Sequence, residues 1–232
     1  TKPNGFGGRH LLGTDNTGRD VFARVIDGFK VSITFTVICT FLSYSIGIII
    51  GGTLGYFGGK VDLFGVRIME IFSALPFLFI VMILSGFMQP NLFILASILV
   101  FLSGWIGISY YIRGEFYREK AKDYVSAAVS LGATNWQVMF KHILPNAWAP
   151  LLVAFTLDIG GTILSAAGLS FIGLGAEMHS AEWGRMVSDG RKWFLNEWWL
   201  VTFPGLAIAF TTLGFNLLGD GLRDVVDPRN RR

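Results

Sequence analysis

Charged residues leave long gaps in this chain: none occurs between Lys30 and Lys60, or between Glu70 and Arg113. The first gap exceeds the ~20 apolar residues that carry a helix across a hydrocarbon core of ~30 Å, and it predicts span A over about Val31–Tyr56. As one helix rising ~1.5 Å per residue, the second would be about twice as long as the hydrocarbon is thick, so it folds back. Gln89-Pro90-Asn91 is the place, because proline ends a helix and the two amides belong at an interface. This predicts span B, Val66–Met88, and span C, Leu92–Ile112. Ala147–Leu169, apolar apart from Asp158, reads as span D, and Trp198–Leu218, bounded by Glu197 and Asp220, as span E.

Polar segments separate the five spans: Thr1–Lys30, Gly58–Arg67, Arg113–His142, Phe171–Glu197 and the tail from Asp220. Alternation puts the second, the third and the tail on one side with 11 Lys and Arg, against 8 on the other, and the positive-inside rule makes the richer side cytoplasmic. The first segment is then external. It lacks the apolar core of a signal peptide, and the parity leads us to expect a further span upstream.

Composition agrees with lipid as solvent. The 232 residues are 52% hydrophobic and only 15% charged, against about a quarter charged in soluble domains. A net charge of +3, with the basic residues scattered, gives no footprint for nucleic acid. The single cysteine, Cys39, forms no intrachain disulfide, and His10, His142 and His179 lack the i, i+4 spacing of a zinc helix. Gly59-Lys60 is followed by Val61 and lies five residues after Leu54, so there is no phosphate-binding loop and no nucleotide hydrolysis is expected of this chain. Asp15, Asn16, Thr17, Gly18 and Asp20 are spaced wrongly for a calcium loop; turn and capping chemistry accounts for them.

Arg113–His142 carries its own helix punctuation. Asp123 can cap a short helix through Leu131, Gly132 supplies a left-handed stop, and Thr134-Asn135-Trp136-Gln137 fits a capping box opening a second helix. Leu144-Pro145 then marks entry into span D. Ala127-Ala128 leaves a bare surface that another protein's groove can approach; an interfacial helix packed on headgroups is the alternative, and the residues alone leave both open.

Tyr124-Val125-Ser126-Ala127-Ala128, through Leu131-Gly132-Ala133 and on to His142-Ile143-Leu144-Pro145-Asn146, resembles the EAA signature of the membrane subunits of type I ABC importers. In that family the loop forms a coupling helix that docks in a cleft of a cytoplasmic ATPase. The resemblance implies an ATPase-coupling role for Tyr124, Ser126, Ala127, Ala128, Leu131, Gly132, Ala133, Leu144 and Pro145. Ser126 stands where the family has glutamate, so the implied docking rests on shape and backbone rather than on that charge.

Other blocks narrow the resemblance to the DppC/OppC permeases of dipeptide, oligopeptide and nickel importers. They are Leu12-Gly13-Thr14-Asp15 with Gly18-Arg19-Asp20-Val21, Gly55-Tyr56-Phe57-Gly58-Gly59-Lys60-Val61-Asp62, Leu169 to Gly175, Glu182-Trp183-Gly184, and Asn216 to Asp224 with Asp227-Pro228-Arg229. The implied fold is an all-α, polytopic transmembrane helical bundle over 31–232 after an external segment 1–30, with a coupling loop at 113–145 and an additional N-terminal span before the Gly-Thr-Asp block. The implied partners are a homologous DppB/OppB-like permease, two ABC ATPase subunits that bind ATP and Mg, an external substrate-binding protein, and membrane lipid. The setting is the cytoplasmic membrane, with peptides as the default substrate. A secondary transporter or channel working without an ATPase is the alternative, but it calls for repeats or broken helices with buried ion ligands.

Two further features come from the residues themselves. Gly47, Gly51 and Gly55 recur every four residues along span A and offer a groove for close helix approach. Asp158, a carboxylate near the middle of a span, costs ~2.5–3.5 kcal/mol on the insertion scale, so it faces protein, water or a partner. It either lines a translocation path and meets an ammonium group, or is protonated or hydrogen-bonded at a subunit interface. Glu70 reads as interfacial, and Trp193, Trp198 and Trp199 as an aromatic belt.

Overall fold

Helix formation begins at Asp20, whose carboxylate accepts the Ala23 N–H at 3.1 Å, and α1 then runs unbroken from Val21 to Phe57. The computed structural model describes residues 2–3, 10–87, 91–175, 177 and 180–226. Regular structure among them is helical, apart from a single bridge between Thr14 and Asp20. Span A therefore starts ten residues earlier than its charge-free run: Arg24, Asp27 and Lys30 lie within α1, so the boundary expected at residue 30 falls inside a helix. Gly58 (φ +64°) and Gly59 (φ +53°) take left-handed conformations, which lets α2 (Gly59–Ala74) start immediately.

Span B is not one helix. Pro76 holds Leu75 extended (ψ 127°), as a residue preceding proline is held, and α3 (Phe77–Phe87) resumes at a bend of 67°. Met88, Gln89 and Pro90, where the return turn was expected, lie outside the described residues. Asn91 beyond them caps the next helix, its Oδ1 accepting the Ile94 N–H at 2.8 Å.

That helix, α4, covers Leu92–Lys120 and contains a π-turn at Leu99–Gly104. The short α5 (Asp123–Ser130) follows, then α6 (Asn135–Phe171), α7 (Trp183–Gly190) and α8 (Trp199–Val226). Four helices, α1, α4, α6 and α8, are long and apolar enough to cross a membrane, and the bent pair α2–α3 makes a fifth if counted as one span. The five expected spans are thus present only with one of them broken.

The second cytoplasmic helix and span D were expected to be separated at Leu144-Pro145, yet α6 runs through both. Proline removes one amide and crowds the carbonyl four residues earlier. A π-turn at Val138–Ile143 lies directly before Pro145, where wider winding relieves that crowding, so the helix continues.

The chain divides into two compact units, one drawn from Thr1–Cys39, Val81–Ile98 and Asp158–Leu217, the other from Thr40–Ile80, Leu99–Leu157 and Leu218–Arg232. In the first, Trp183 is buried and its indole donates to the Val25 carbonyl at 3.0 Å. Gly28 makes room for it: a Cβ there would lie 2.4 Å from the Ala181 carbonyl oxygen. Glu182 caps α7 by accepting the Gly184 and Arg185 amides at 2.9 and 2.7 Å. Burial raises its pKa, and those amides with the Ser170 hydroxyl act in the opposite sense. Trp199 does not join an aromatic belt; it packs with Val21 and Leu200 and donates to the Thr14 carbonyl at 3.3 Å, whereas Trp193 and Trp198 are exposed.

The second unit is organised by a glycine seam between α1 and α4. A Cβ at Gly51 would sit 2.3 Å from the Ser109 carbonyl oxygen, one at Gly47 2.7 Å from Ile108, and one at Gly55 2.7 Å from the Arg113 carbonyl oxygen and Phe116 Cβ. Only hydrogen fits at all three. Alongside the seam, Tyr44, Tyr56, Ile108, Ile112, Phe116, Val125, Val138, Met139, Ile143, Ala147 and Leu151 form one core.

Asp15 supplies a test of the first unit. Its buried carboxylate accepts the Thr17 amide (2.9 Å) and hydroxyl (2.7 Å), the Arg19 amide (2.9 Å) and Nε (2.8 Å), and an Arg24 guanidinium nitrogen (2.8 Å). Burial pushes its pKa up, but the bonds from Thr17 and Arg19 together outweigh it and hold the group at about 2. Because the folded pKa lies below the unfolded one, the stabilisation is complete above about pH 4 and is lost as pH falls toward 2, on the order of 2 kcal/mol in all. Between about pH 5 and pH 3 the thermal unfolding midpoint of the detergent-solubilised chain should fall less steeply in Asp15→Asn than in the natural sequence; equal slopes would contradict this assignment.

Candidate functional site

The segment between α4 and α6 folds as its punctuation requires. Asp123 is the first helical residue of α5 rather than its cap; Lys122 holds the cap position and makes no side-chain capping bond. Asp123 still sits where a negative charge favours a helix start. At the other end Gly132 takes φ +85°, the Ala133 amide reaches the Ala128 carbonyl (3.1 Å) and the Gly132 amide reaches that of Val129 (2.9 Å). This double closure is a Schellman motif. Thr134 and Gln137 then form a full capping box: the Gln137 amide donates to the Thr134 hydroxyl at 3.3 Å, and the Thr134 amide to the Gln137 side chain at 2.9 Å.

The unit core grips one face of this element. Val125 and Ala128 are buried, as are Val138 and Met139 at the start of α6. The bare surface expected of Ala127-Ala128 is therefore half present: Ala127 is exposed, and Ala128 is turned inward. Ser126 is exposed, Leu131 is 87% exposed and Trp136 65%, while Tyr124, Ala133 and Leu144 are half-buried and Pro145 lies at the surface. Ser126, Ala127, Leu131 and Trp136 are thus uncovered, uncharged side chains on the two sides of the Gly132 turn.

A polar group that the sequence did not single out holds this element. Glu119, 1% exposed, accepts Lys122 Nζ at 2.7 Å and the Tyr124 hydroxyl at 2.9 Å. Burial and the Glu119 carboxylate push the Tyr124 phenol up to about 12. Asp62 binds Arg113 through two contacts and accepts the Tyr117 hydroxyl at 2.8 Å, fastening the start of α2 to α4. Glu119 and Asp62 sit in charge-rich stretches that read as solvated surface, and only the helix crossing reveals Glu119 as a buried partner and Asp62 as a partly buried one. Glu70 is exposed and pairs with Arg67 at 2.5 Å.

Asp158 lies elsewhere, exposed on α6 beside buried Ile159 and Gly160. Gly160 is a crossing point within the first unit: a Cβ there would lie 3.0 Å from Asn216 Oδ1. His179 and the Asp227-Pro228-Arg229 block lie outside the described residues. Among the described residues no three His, Cys, Asp or Glu side chains group as metal ligands.

The chain is similar to known proteins along most of its length. Residues 43–232 match the family described as binding-protein-dependent transport system inner membrane component. The chain is 42% identical to the probable D,D-dipeptide transport system permease protein DdpC of Escherichia coli K12, over 95% of its own length and 74% of that protein. It is 38% identical to the dipeptide transport system permease protein DppC of Bacillus subtilis over 96% and 70%. Against the oligopeptide transport system permease protein OppC of Haemophilus influenzae it is 37% identical over 97% and 72%. A structure of the MetNI methionine ABC transporter in an inward-facing conformation shares the fold, with a TM-score of 0.63 at 18% identity over 89% of this chain and 98% of that one.

The turn at Gly132 can be tested by itself, because a Cβ there meets nothing within 4 Å while the left-handed backbone disfavours any side chain. Gly132→Val should cost about 1 kcal/mol or more by disfavouring the left-handed conformation. Hydrogen exchange should accelerate over 123–137 while the glycine seam stays protected; unchanged exchange in both regions would contradict the closure described.

Proposed function

Since the chain belongs to the binding-protein-dependent transport system inner membrane components, the permease subunits of ABC importers, we propose that it passes peptides across the cytoplasmic membrane by alternating access, driven through α5. Its place in the family is that of a membrane subunit working with a separate ATPase, which sets aside a transporter acting without one. Peptide as the substrate class is supported by the relatives, named for dipeptides, D,D-dipeptides and oligopeptides. A homologous permease, two ATPase subunits carrying ATP and Mg, and an external binding protein complete the proposed assembly.

The observation that carries the coupling role is the set of uncovered side chains Ser126, Ala127, Leu131 and Trp136, on an element whose two helices are joined by the Gly132 closure and the Thr134–Gln137 capping box and which is rooted in the core by Val125, Val138 and Met139. Such an element transmits a push without deforming, since its caps and packing resist internal rearrangement. An ATPase cleft closing on it moves the element as a body, and the helices rooted in the same core move with it. The loop and the C-terminus are cytoplasmic in this reading, on the side richer in Lys and Arg. Asp158, exposed on α6, is placed in the proposal at the path or at the interface with the second permease, where a peptide's ammonium group or a partner's donor meets it.

Two neighbouring substitutions test the docking face. Ala127→Trp adds bulk where this chain has no contact to lose, so the chain should fold normally while co-purification of the ATPase falls about tenfold or more. Ala128→Trp should instead lower the yield of folded chain, because that side chain points into the core. Full recovery of the ATPase with Ala127→Trp would refute the assignment.

A further inference from the structure

We infer that Tyr56 is the positioning residue that ties the docking element to the end of α1, so that a displacement of one is handed to the other; this rests on the coupling role proposed above. Tyr56 lies in the last turn of α1 and is 7% exposed. Its hydroxyl donates to Asn135 Oδ1 at 2.9 Å, and Asn135 is the first residue of α6. Its backbone carbonyl accepts Lys120 Nζ at 2.5 Å, and the same ammonium group stands 5.3 Å from the centre of its ring. Lys120 is the last residue of α4. One side chain and its own carbonyl therefore hold the chain immediately before α5 and shortly after it.

The chemistry of the site explains why the tie falls here. The final carbonyls of a helix have no intrahelical donor, and the negative end of the helix dipole attracts a cation. Lys120 meets both conditions at the Tyr56 carbonyl and adds a cation–π contact to the ring. One residue earlier, Gly55 brings α1 against the Arg113 carbonyl and Phe116 with no room for slack. The contacts of Val125, Val138 and Met139 in the same core are apolar and non-directional, and pack the element without fixing it to any one atom of α1. The Tyr56–Asn135 bond is directional, and among the described contacts it is the hydroxyl's tie to α6.

Tyr56→Phe removes that bond and keeps the ring, the carbonyl and the Lys120 contacts. The test measures hydrogen exchange over residues 48–57 and 123–130 in the assembled complex with its ATPase subunits, with and without ATP plus vanadate. In the natural sequence both regions should respond to nucleotide. In Tyr56→Phe the response at 123–130 should persist while that at 48–57 shrinks about threefold or more; Asn135→Ala should reproduce this, and the double variant should add nothing further. Undiminished response at 48–57 would overturn the inference. So would loosening of 123–130 before nucleotide is added, which would make Tyr56 a structural anchor only. No response at 123–130 in the natural sequence would instead remove the coupling reading, and with it the premise of this one.

Discussion

The cytoplasmic element of this permease depends on how closely α1 and α4 approach. Gly47, Gly51 and Gly55 bring one backbone against the Ile108, Ser109 and Arg113 positions of the other, at separations that exclude even a methyl group. In lipid, where apolar burial gives little net drive between helices, such close packing is the main source of association. The seam fixes the axial register of the two helices, and that register brings Phe116 and Ile112 beneath α5 and sets Tyr56 between Lys120 and Asn135. Shifting the helices by one turn would lose the core that roots the docking element together with the polar ties around it.

Each unit combines close backbone contact with a few saturated polar groups. In one, Gly28 and Gly184 admit Trp183 and α7 while Glu182 and Asp15 are filled by backbone and side-chain donors. In the other, the glycine seam is accompanied by Glu119 and Asp62, each with two or more donors. Buried carboxylates carry a large desolvation penalty unless fully partnered, and Asp15, Glu119 and Glu182 are buried with their donors in place, while Asp62 is partly buried. They hold helix ends in fixed positions, as a membrane subunit driven from outside must, while the large apolar side chains exposed along the spans, such as Phe41, Phe101 and Phe210, are left for lipid or a partner helix to cover.

Much of this was legible in the residues. The left-handed Gly132, the Thr134–Gln137 capping box and the three-glycine groove depend on local chemistry at fixed spacing, and each takes the geometry its residue types demand. The departures have equally local causes. Pro76 breaks span B, although the charge-free run around it draws attention to the later Pro90. Pro145 does not break α6, because a π-turn absorbs it, and nothing in composition announces a π-turn. Ala128 turns inward because it shares a helix face with Val125 three residues before it, a periodicity that was readable but lay behind the paired alanines. Tyr56, Glu119 and Asn135 act through contacts between residues far apart in the chain, and no local pattern predicts those.

In the proposed coupling, an ATPase pushes on this chain at the uncovered side chains Ser126, Ala127, Leu131 and Trp136. Cysteine cross-linking from the most exposed of these positions tests it directly: Leu131→Cys in the assembled importer, with the buried native Cys39 as internal control. The account predicts an adduct between this chain and the ATPase subunit, whose yield changes between nucleotide-free and ATP-bound states. An adduct only with lipid or with the second permease, at a yield indifferent to nucleotide, would contradict it.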